Sequence, residues 1–139
     1  MSQKFLFLFL AIVLAGFAVF KILFSPVSIT FESRPGKIFS NSSSPITVEM
    51  FAVNRLDFKI PFKHLYGKFV IGEGGEKIDI VQEKEDELLF RTRNDTGRLV
   101  IFFYAKNVPF PVEIILNIES ASLAANKSRQ FPLTEDSNA

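Results

Sequence analysis

An uninterrupted apolar run near the start of the chain constrains its structure more than any other feature. Residues 5–24 read FLFLFLAIVLAGFAVFKILF and carry one charge, on Lys21. Twenty helical residues rise about 30 Å, which matches the hydrocarbon thickness of a bilayer. Lys21 lies within one turn of the end, where its ammonium can extend to the headgroups, and Pro26 then ends the helix. The run predicts a transmembrane anchor over residues 1–25, in contact with the lipid bilayer through residues 5–24.

A cleaved signal peptide and a pilin-like assembly helix are the alternatives for the same run. Lys4 precedes the run, and Gly16 and Ala18 have the spacing of a processing site. Cleavage there would leave VFKILF as an exposed apolar terminus. The run is also longer than the roughly 7–15 residues of a signal-peptide core. An uncleaved single-pass anchor is therefore favoured over a secreted domain released by cleavage.

The charges that flank the apolar run leave its orientation open. Lys4 precedes the run, whereas Lys21, Arg34 and Lys37 outnumber Glu32 on the other side. The positive-inside rule counts basic residues on the cytoplasmic side, and here both sides carry them. We expect a signal-anchor with a short cytoplasmic start and an extracytoplasmic C-terminal domain.

Beyond the apolar run, the hydrophobic pattern has a period of two residues. Such alternation is typical of half-buried β-strands, and Pro, Gly and Asn separate the alternating runs. Seven strands are predicted, at about residues 27–31, 45–53, 66–71, 77–82, 87–92, 98–104 and 111–119. Seven short strands without a helical stretch predict an all-β, immunoglobulin-like antiparallel sandwich over residues 26–119. Residues 120–139 are small and polar, and we expect a disordered tail there.

Three segments of the predicted domain carry a family resemblance. They read ITVEMFAVNRLDFKIPF, FVIGEGGEKIDIV and LLFRTRNDTGRLVIFFYA. Pro61-Phe62 forms a step after a strand, residues 69–72 form an F-x-I-x-x-G-like strand end, and residues 92–97 form a Thr-to-Gly turn before a hydrophobic strand. Over about residues 45–119 the chain resembles the bacterial Ig-like (invasin/intimin-type) repeat. The resemblance implies an extracytoplasmic, non-enzymatic β-sandwich.

The composition excludes several classes of chemistry. The chain has no Cys and only one His, His64, which excludes disulfides, thiolate nucleophiles and multi-histidine metal sites. A net charge of +1 lacks the basic excess of a nucleic-acid binder. The glycine-rich residues 72–75 lack the Gly-Lys-Ser/Thr ending of a phosphate loop, and the acidic residues 83–87 lack the glycine hinge of a calcium loop. We predict no catalytic residue, metal or cofactor, and no enzymatic activity.

The sixth predicted strand is apolar on both faces, although only one face can fill the core. Leu99, Ile101 and Phe103 are assigned inward, because the alternate set ends in Tyr104, whose hydroxyl prefers water. The outward set and its neighbours form a candidate partner surface: Tyr66, Lys68, Val70, Val100, Phe102, Tyr104 and Ile115. A contiguous apolar surface of this kind is typical of a contact with another molecule. The alternative is that the N-terminal strand, the loop from Asn54 to His64 or the polar tail folds over it.

The predicted partner of this surface is a protein, with the membrane surface as the alternative. A membrane-anchored domain with a contact face and no catalytic site is typical of an accessory or assembly subunit of a membrane or envelope protein complex. A cell-surface adhesion or recognition protein is the second hypothesis.

Overall fold

The computed structural model describes residues 2–122, which form one long helix followed by a β domain. Helix α1 (Gln3–Phe24) has 22 residues and rises about 33 Å. It is long and apolar enough to cross a membrane. The Ser25 backbone N–H donates to the Lys21 carbonyl and closes the last turn. The predicted tail lies outside the described residues, apart from residues 120–122.

Eight strands follow the helix. They are β1 (Ser28–Arg34), β2 (Ile38–Phe39), β3 (Ile46–Val53), β4 (Gly67–Glu73), β5 (Ile78–Glu83), β6 (Glu87–Thr92), β7 (Gly97–Ala105) and β8 (Val112–Glu119). Seven of them lie within three residues of the predicted bounds at either end, so the β-rich prediction is confirmed. The predicted count of seven is wrong, because β2 adds a strand. Two residues are too few to show alternation, which is why the sequence pattern did not indicate β2.

The strands form two four-stranded sheets. The first has the order β1-β3-β6-β5, and every neighbouring pair in it is antiparallel. The second has the order β2-β8-β7-β4, in which β2 pairs parallel with β8 through Ile38 and Ile118. The prediction of a wholly antiparallel arrangement is therefore wrong at this one pair. The other pairs of the second sheet are antiparallel.

Both sheets contribute side chains to a single core. Val48 and Met50 of β3 are buried in it, together with Ile114 and Leu116 of β8. The inward assignment of β7 is also confirmed, since Leu99, Ile101 and Phe103 are fully buried. The Phe103 ring lies 4.9 Å from the Phe69 ring, centroid to centroid. Because side chains alternate along a strand, this register also determines which residues face outward.

One end of the β domain lies next to α1. Ser28, at the start of β1, pairs with Val53, at the end of β3. Gly67, at the start of β4, pairs with Ala105, at the end of β7. The connections that leave the sheets at this end are named the helix-proximal loops, residues 54–66 and 106–111.

The opposite end carries the remaining connections between strands, apart from the turn between β5 and β6 at residues 84–86. Gly97, at the start of β7, pairs with Ile118 near the end of β8. The Arg93 backbone N–H donates to the Lys77 carbonyl at 2.7 Å, which holds two of these connections together. The segments at this end are named the distal segments, residues 34–45, 73–77 and 93–97.

Candidate functional site

The outer face of β4, β7 and β8 carries the predicted partner surface. The register aligns Lys68 with Tyr104, Val70 with Phe102, and Ile115 with Val100. Tyr66 precedes β4 in the same two-residue phase as Lys68. The pairing of the three strands thus places the predicted residues on one side of the second sheet.

The exposure of these residues is uneven. Tyr66, Val70, Tyr104 and Ile115 are exposed apolar or aromatic side chains, Lys68 is exposed, and Phe102 is half-buried. Val100 differs from the prediction, because it is only 5% exposed. It lies in the middle of the sheet between Glu73 of β4 and Ile115 of β8. A short side chain between two longer neighbours is shielded, so Val100 adds little to a contact surface.

Phe102 is half-buried because its ring lies over the backbone of Gly72. A Cβ atom at Gly72 would come within 2.5 Å of the Phe102 ring. The pairing of β4 with β7 is irregular between Ile71 and Glu73, next to this contact. The absence of a side chain at Gly72 therefore lets the Phe102 ring approach the backbone of the edge strand.

Charged side chains border the apolar part of this face. Arg98 and Glu113 are about half exposed, and the distance between the Arg98 Nη2 and Glu113 Oε1 atoms is 4.0 Å. Lys68 lies on the opposite border, on edge strand β4. An apolar centre with a polar, solvent-accessible rim is the usual anatomy of a protein–protein contact.

A buried asparagine joins the first helix-proximal loop to the end of α1. Asn54 is only 4% exposed. Its Oδ1 atom accepts hydrogen bonds from the backbone N–H groups of Leu56 at 2.9 Å and Phe58 at 3.1 Å. Its Nδ2 atom donates to the Leu23 carbonyl at 3.0 Å. That carbonyl is one of the last four in α1, which lack partners within the helix.

Sequence reasoning missed this role of Asn54. The available signal was an asparagine directly after a predicted strand, where such residues form side-chain turns with the backbone two residues on. The bond to Leu23 joins residues far apart in the chain, so no local pattern indicates it.

A cleft of about 510 Å³ opens at the same end, between the start of β1 and the helix-proximal loops. Its lining is apolar at Val27, Leu65 and Val108 and basic at Lys63 and Lys106. The cleft therefore combines an apolar wall with cationic side chains, which suits an amphiphilic or anionic group.

His64 also lines this cleft. Its Nδ1 atom lies 3.9 Å from Asp86 Oδ2, in the turn between β5 and β6. Within residues 2–122, no group of three or more His, Asp or Glu side chains is arranged to hold a metal ion. Glu83, in the acidic residues 83–87, instead links edge strands of the two sheets. Its Oε1 atom accepts a hydrogen bond from the Phe69 backbone N–H at 3.3 Å.

Arginine 93 organises the charged groups of the distal segments. The Arg93 Nε atom donates to Asp79 Oδ1 at 2.9 Å, and Nη1 donates to the Glu76 carbonyl at 3.3 Å. The hydrogen bonds from the guanidinium hold the pKa of the Asp79 carboxyl below its ordinary value, and the carboxylate raises the pKa of Arg93. Both groups are exposed, so they act as a solvated ion pair.

Comparison with known proteins identifies no relative of this chain. The chain matches no family model, no curated protein and no solved structure.

Proposed function

We propose that the chain is a single-pass, membrane-anchored immunoglobulin-like module that binds protein partners without enzymatic activity. In this proposal it serves as an accessory or assembly subunit of a membrane or envelope protein complex. The observation that carries the proposal is the exposed apolar face of β4, β7 and β8. Exposed contiguous apolar area on a small domain is typical of a surface that another protein covers.

The strand order supports the immunoglobulin-like assignment. Immunoglobulin constant-type domains have one sheet of strands A-B-E-D and another of C-F-G. If β2 is treated as an addition, the remaining seven strands fall in the orders A-B-E-D and G-F-C. The same order is compatible with the resemblance to bacterial Ig-like repeats over about residues 45–119.

The end of α1 is linked to the β domain whether or not the chain is cleaved after Ala18, so support for a retained anchor comes from the length of the apolar run. Cleavage after Ala18 would leave residues 19–24 attached to the domain. Leu23 in that remnant accepts the hydrogen bond from Asn54, which makes the end of α1 part of the folded domain. We assign the β domain to the extracytoplasmic side, as the signal-anchor hypothesis requires.

The experiment compares two exposed residues of the proposed face with an exposed residue on the other sheet. Tyr104→Glu and Ile115→Glu are combined in the full chain, because both side chains are more exposed than Phe102. Ile80→Glu is the control, since Ile80 is a comparably exposed apolar residue on β5. Each variant is cross-linked in the native membrane and extracted in mild detergent, and the copurifying proteins are quantified.

We expect the double variant to melt cooperatively and to lose a membrane-protein partner that the Ile80→Glu variant keeps. Recovery of the same partner in the same amount with both variants would contradict the proposed face. Recovery of a face-dependent partner only from outside the cell would favour the adhesion hypothesis over an accessory subunit.

A further inference from the structure

Exposed apolar side chains are concentrated at the end of the β domain next to α1. Phe62 is 98% exposed and Phe110 is 78% exposed, and both lie in the helix-proximal loops. Other exposed large apolar or aromatic side chains at this end are Val27, Leu56, Phe58, Tyr66 and Val108. The distal segments, all within the described residues, carry none. The exposed apolar side chains of the loops therefore lie at the end of the domain that is next to the helix.

The helix-proximal loops lie at the level of the helix end. Only residues 25–27 separate α1 from the first strand, and three residues span at most about 11 Å. The Val27 backbone N–H already donates to the Val53 carbonyl at 2.9 Å. Asn54, the first residue of the loop, bonds directly to Leu23. A bilayer that contains α1 therefore has its surface next to these loops.

The charge of the helix-proximal loops suits an anionic surface. Arg55, Lys63 and Lys106 are exposed, and the acidic residue among them is Asp57. A fourth basic residue, Lys59, is engaged by Glu49 at 2.6 Å. Basic side chains beside aromatic and aliphatic ones are the composition of segments that lie in the membrane interface.

The acidic turn between β5 and β6 is set back from this surface. The Met50 backbone N–H donates to the Asp86 carbonyl at 2.7 Å, three residues before the end of β3. Three strand residues correspond to about 10 Å. The carboxylates of this turn therefore stand behind the loops rather than at their tip, and His64 is the loop residue that meets Asp86.

Phe62 combines full exposure with an unusual backbone conformation. Its φ angle is +60°, a left-handed conformation that bulky residues rarely adopt. Such conformations persist where the surrounding structure imposes them and are concentrated at functional sites. A fully exposed aromatic ring on such a backbone is consistent with a surface that meets an apolar phase.

We infer that the helix-proximal loops insert into the interfacial region of the bilayer that holds α1 and prefer anionic headgroups. This inference rests on the membrane anchor in the proposed function. The insertion places Phe62 and Phe110 among the headgroups and upper acyl chains, with Lys63 and Lys106 beside the lipid phosphates. The face of β4, β7 and β8 then stands to the side of the contact, free to bind a partner.

The absence of tryptophan from the chain provides a direct test. Phe62→Trp, Thr96→Trp and Phe9→Trp each introduce a single fluorophore, in a helix-proximal loop, a distal segment and α1 respectively. The full chain is reconstituted into nanodiscs of phosphatidylcholine with one third phosphatidylglycerol. The lipids carry bromine, which quenches tryptophan, either near the headgroup or deep in the acyl chain.

We expect the tryptophan at position 62 to be blue-shifted and quenched several-fold more than that at position 96, most strongly by the shallow bromine. The tryptophan at position 9 should be quenched most by the deep bromine. Strong quenching at position 9 with equal, weak quenching at 62 and 96 would overturn the insertion and leave the anchor intact. Weak quenching at position 9 would overturn the anchor and the insertion together.

A second comparison tests the preference for anionic lipid. Lys63→Gln and Lys106→Gln are each introduced into the Phe62→Trp chain, and Lys37→Gln, at an exposed distal lysine, is the control. Each basic residue near an anionic surface contributes about 1 kcal/mol. Removing one should therefore lower the ratio of chains with inserted loops to chains with loops in water about fivefold in anionic nanodiscs. The control should leave this ratio unchanged. Identical quenching at position 62 in all three variants, or in pure phosphatidylcholine, would overturn the anionic preference.

Discussion

At both ends of the β domain, a buried polar side chain forms hydrogen bonds with backbone N–H and carbonyl groups. The exposed surfaces of the two ends, however, differ. At the distal end, the buried Thr92 hydroxyl donates to the Phe39 carbonyl at 2.6 Å and accepts from the Ser42 N–H at 3.0 Å. At the helix-proximal end, the buried Asn54 side chain makes the equivalent links. Each end thus has a buried polar side chain that links separate segments through its hydrogen bonds, as buried polar groups require partners.

The side chains around these two residues differ in chemistry. The distal segments combine the Arg93–Asp79 ion pair with exposed polar turns. The helix-proximal loops expose phenylalanines, Phe62 most of all. The difference teaches that an exposed aromatic ring at the helix-proximal end can stand on a well-formed loop, because Asn54 orders the backbone around Leu56 and Phe58. An ordered loop that holds apolar side chains outward indicates an apolar environment at that end.

The largest effect is expected in the core that the two ends share. Leu116→Ala should lower the free energy of unfolding by about 2–5 kcal/mol, through lost transfer free energy and a cavity. Glu113→Ala, on the exposed face of the same strand, should change it by less than about 0.5 kcal/mol. Chemical unfolding of the full chain in detergent measures both values. Equal losses would indicate that β8 is displaced by one residue, which would exchange its faces.

An intermediate effect is expected at the polar residue of each end. Asn54→Ala should lower the free energy of unfolding by about 1–3 kcal/mol, because it removes three hydrogen bonds of a buried side chain and leaves part-buried N–H and carbonyl groups without partners. Thr92→Val removes the corresponding bonds at the distal end and should have an effect of the same order. Unfolding followed by circular dichroism measures both losses.

Asn54→Asp tests the link between Asn54 and α1, at the added cost of burying a carboxylate, so the diagnostic outcome is the absence of a loss. The carboxylate keeps the acceptors for Leu56 and Phe58 but lacks the donor for the Leu23 carbonyl. If the link to α1 contributes to stability, this variant should be less stable than wild type. Stability equal to wild type would mean that Asn54 orders the loop alone, and the proposed coupling of helix and loop would be wrong.

The smallest effect is the acid dependence of the distal ion pair. The pKa of Asp79 is lowered from 3.8 by the hydrogen bonds and charge of Arg93. A lowered pKa in the folded state means that the pair stabilises the fold above pH 3.8, and that this contribution is lost as the pH falls through the lower folded value. The contribution should be small and weakened by salt, because both side chains are exposed.

Asp79→Asn tests this dependence against wild type. The melting temperature of the variant should be slightly lower at neutral pH, and the difference should disappear once the Asp79 carboxyl is protonated. A difference that persists in strong acid would show that Asp79 stabilises the distal end through packing rather than charge.

The parts of the fold that follow from local pattern were predicted well. The apolar run predicts a helix over residues 5–24, and α1 covers Gln3–Phe24. The two-residue period predicts seven strands, and the hydroxyl of Tyr104 predicts the inward side of β7. Both patterns lie within a single element, where the chemistry of a few neighbouring residues decides which side is buried.

The features that were missed depend on residues far apart in the chain. Strand β2 exists because Ile38 and Phe39 pair with the end of β8, some eighty residues later. Val100 was predicted on the contact surface, yet its neighbours Glu73 and Ile115 shield it. Neither the pairing nor the shielding has a local signal.

The sequence by itself therefore determined the composition of each element: an apolar helix, alternating strands, and turns where Gly, Asn and Pro interrupt them. Only the tertiary structure decided how these elements combine at the two ends of the domain. It brought residues 54–66 and 106–111 together beside the end of α1 and directed their aromatic side chains outward. The physical reason is that secondary structure arises from interactions over a few residues, whereas a shared surface requires strand pairing between distant segments.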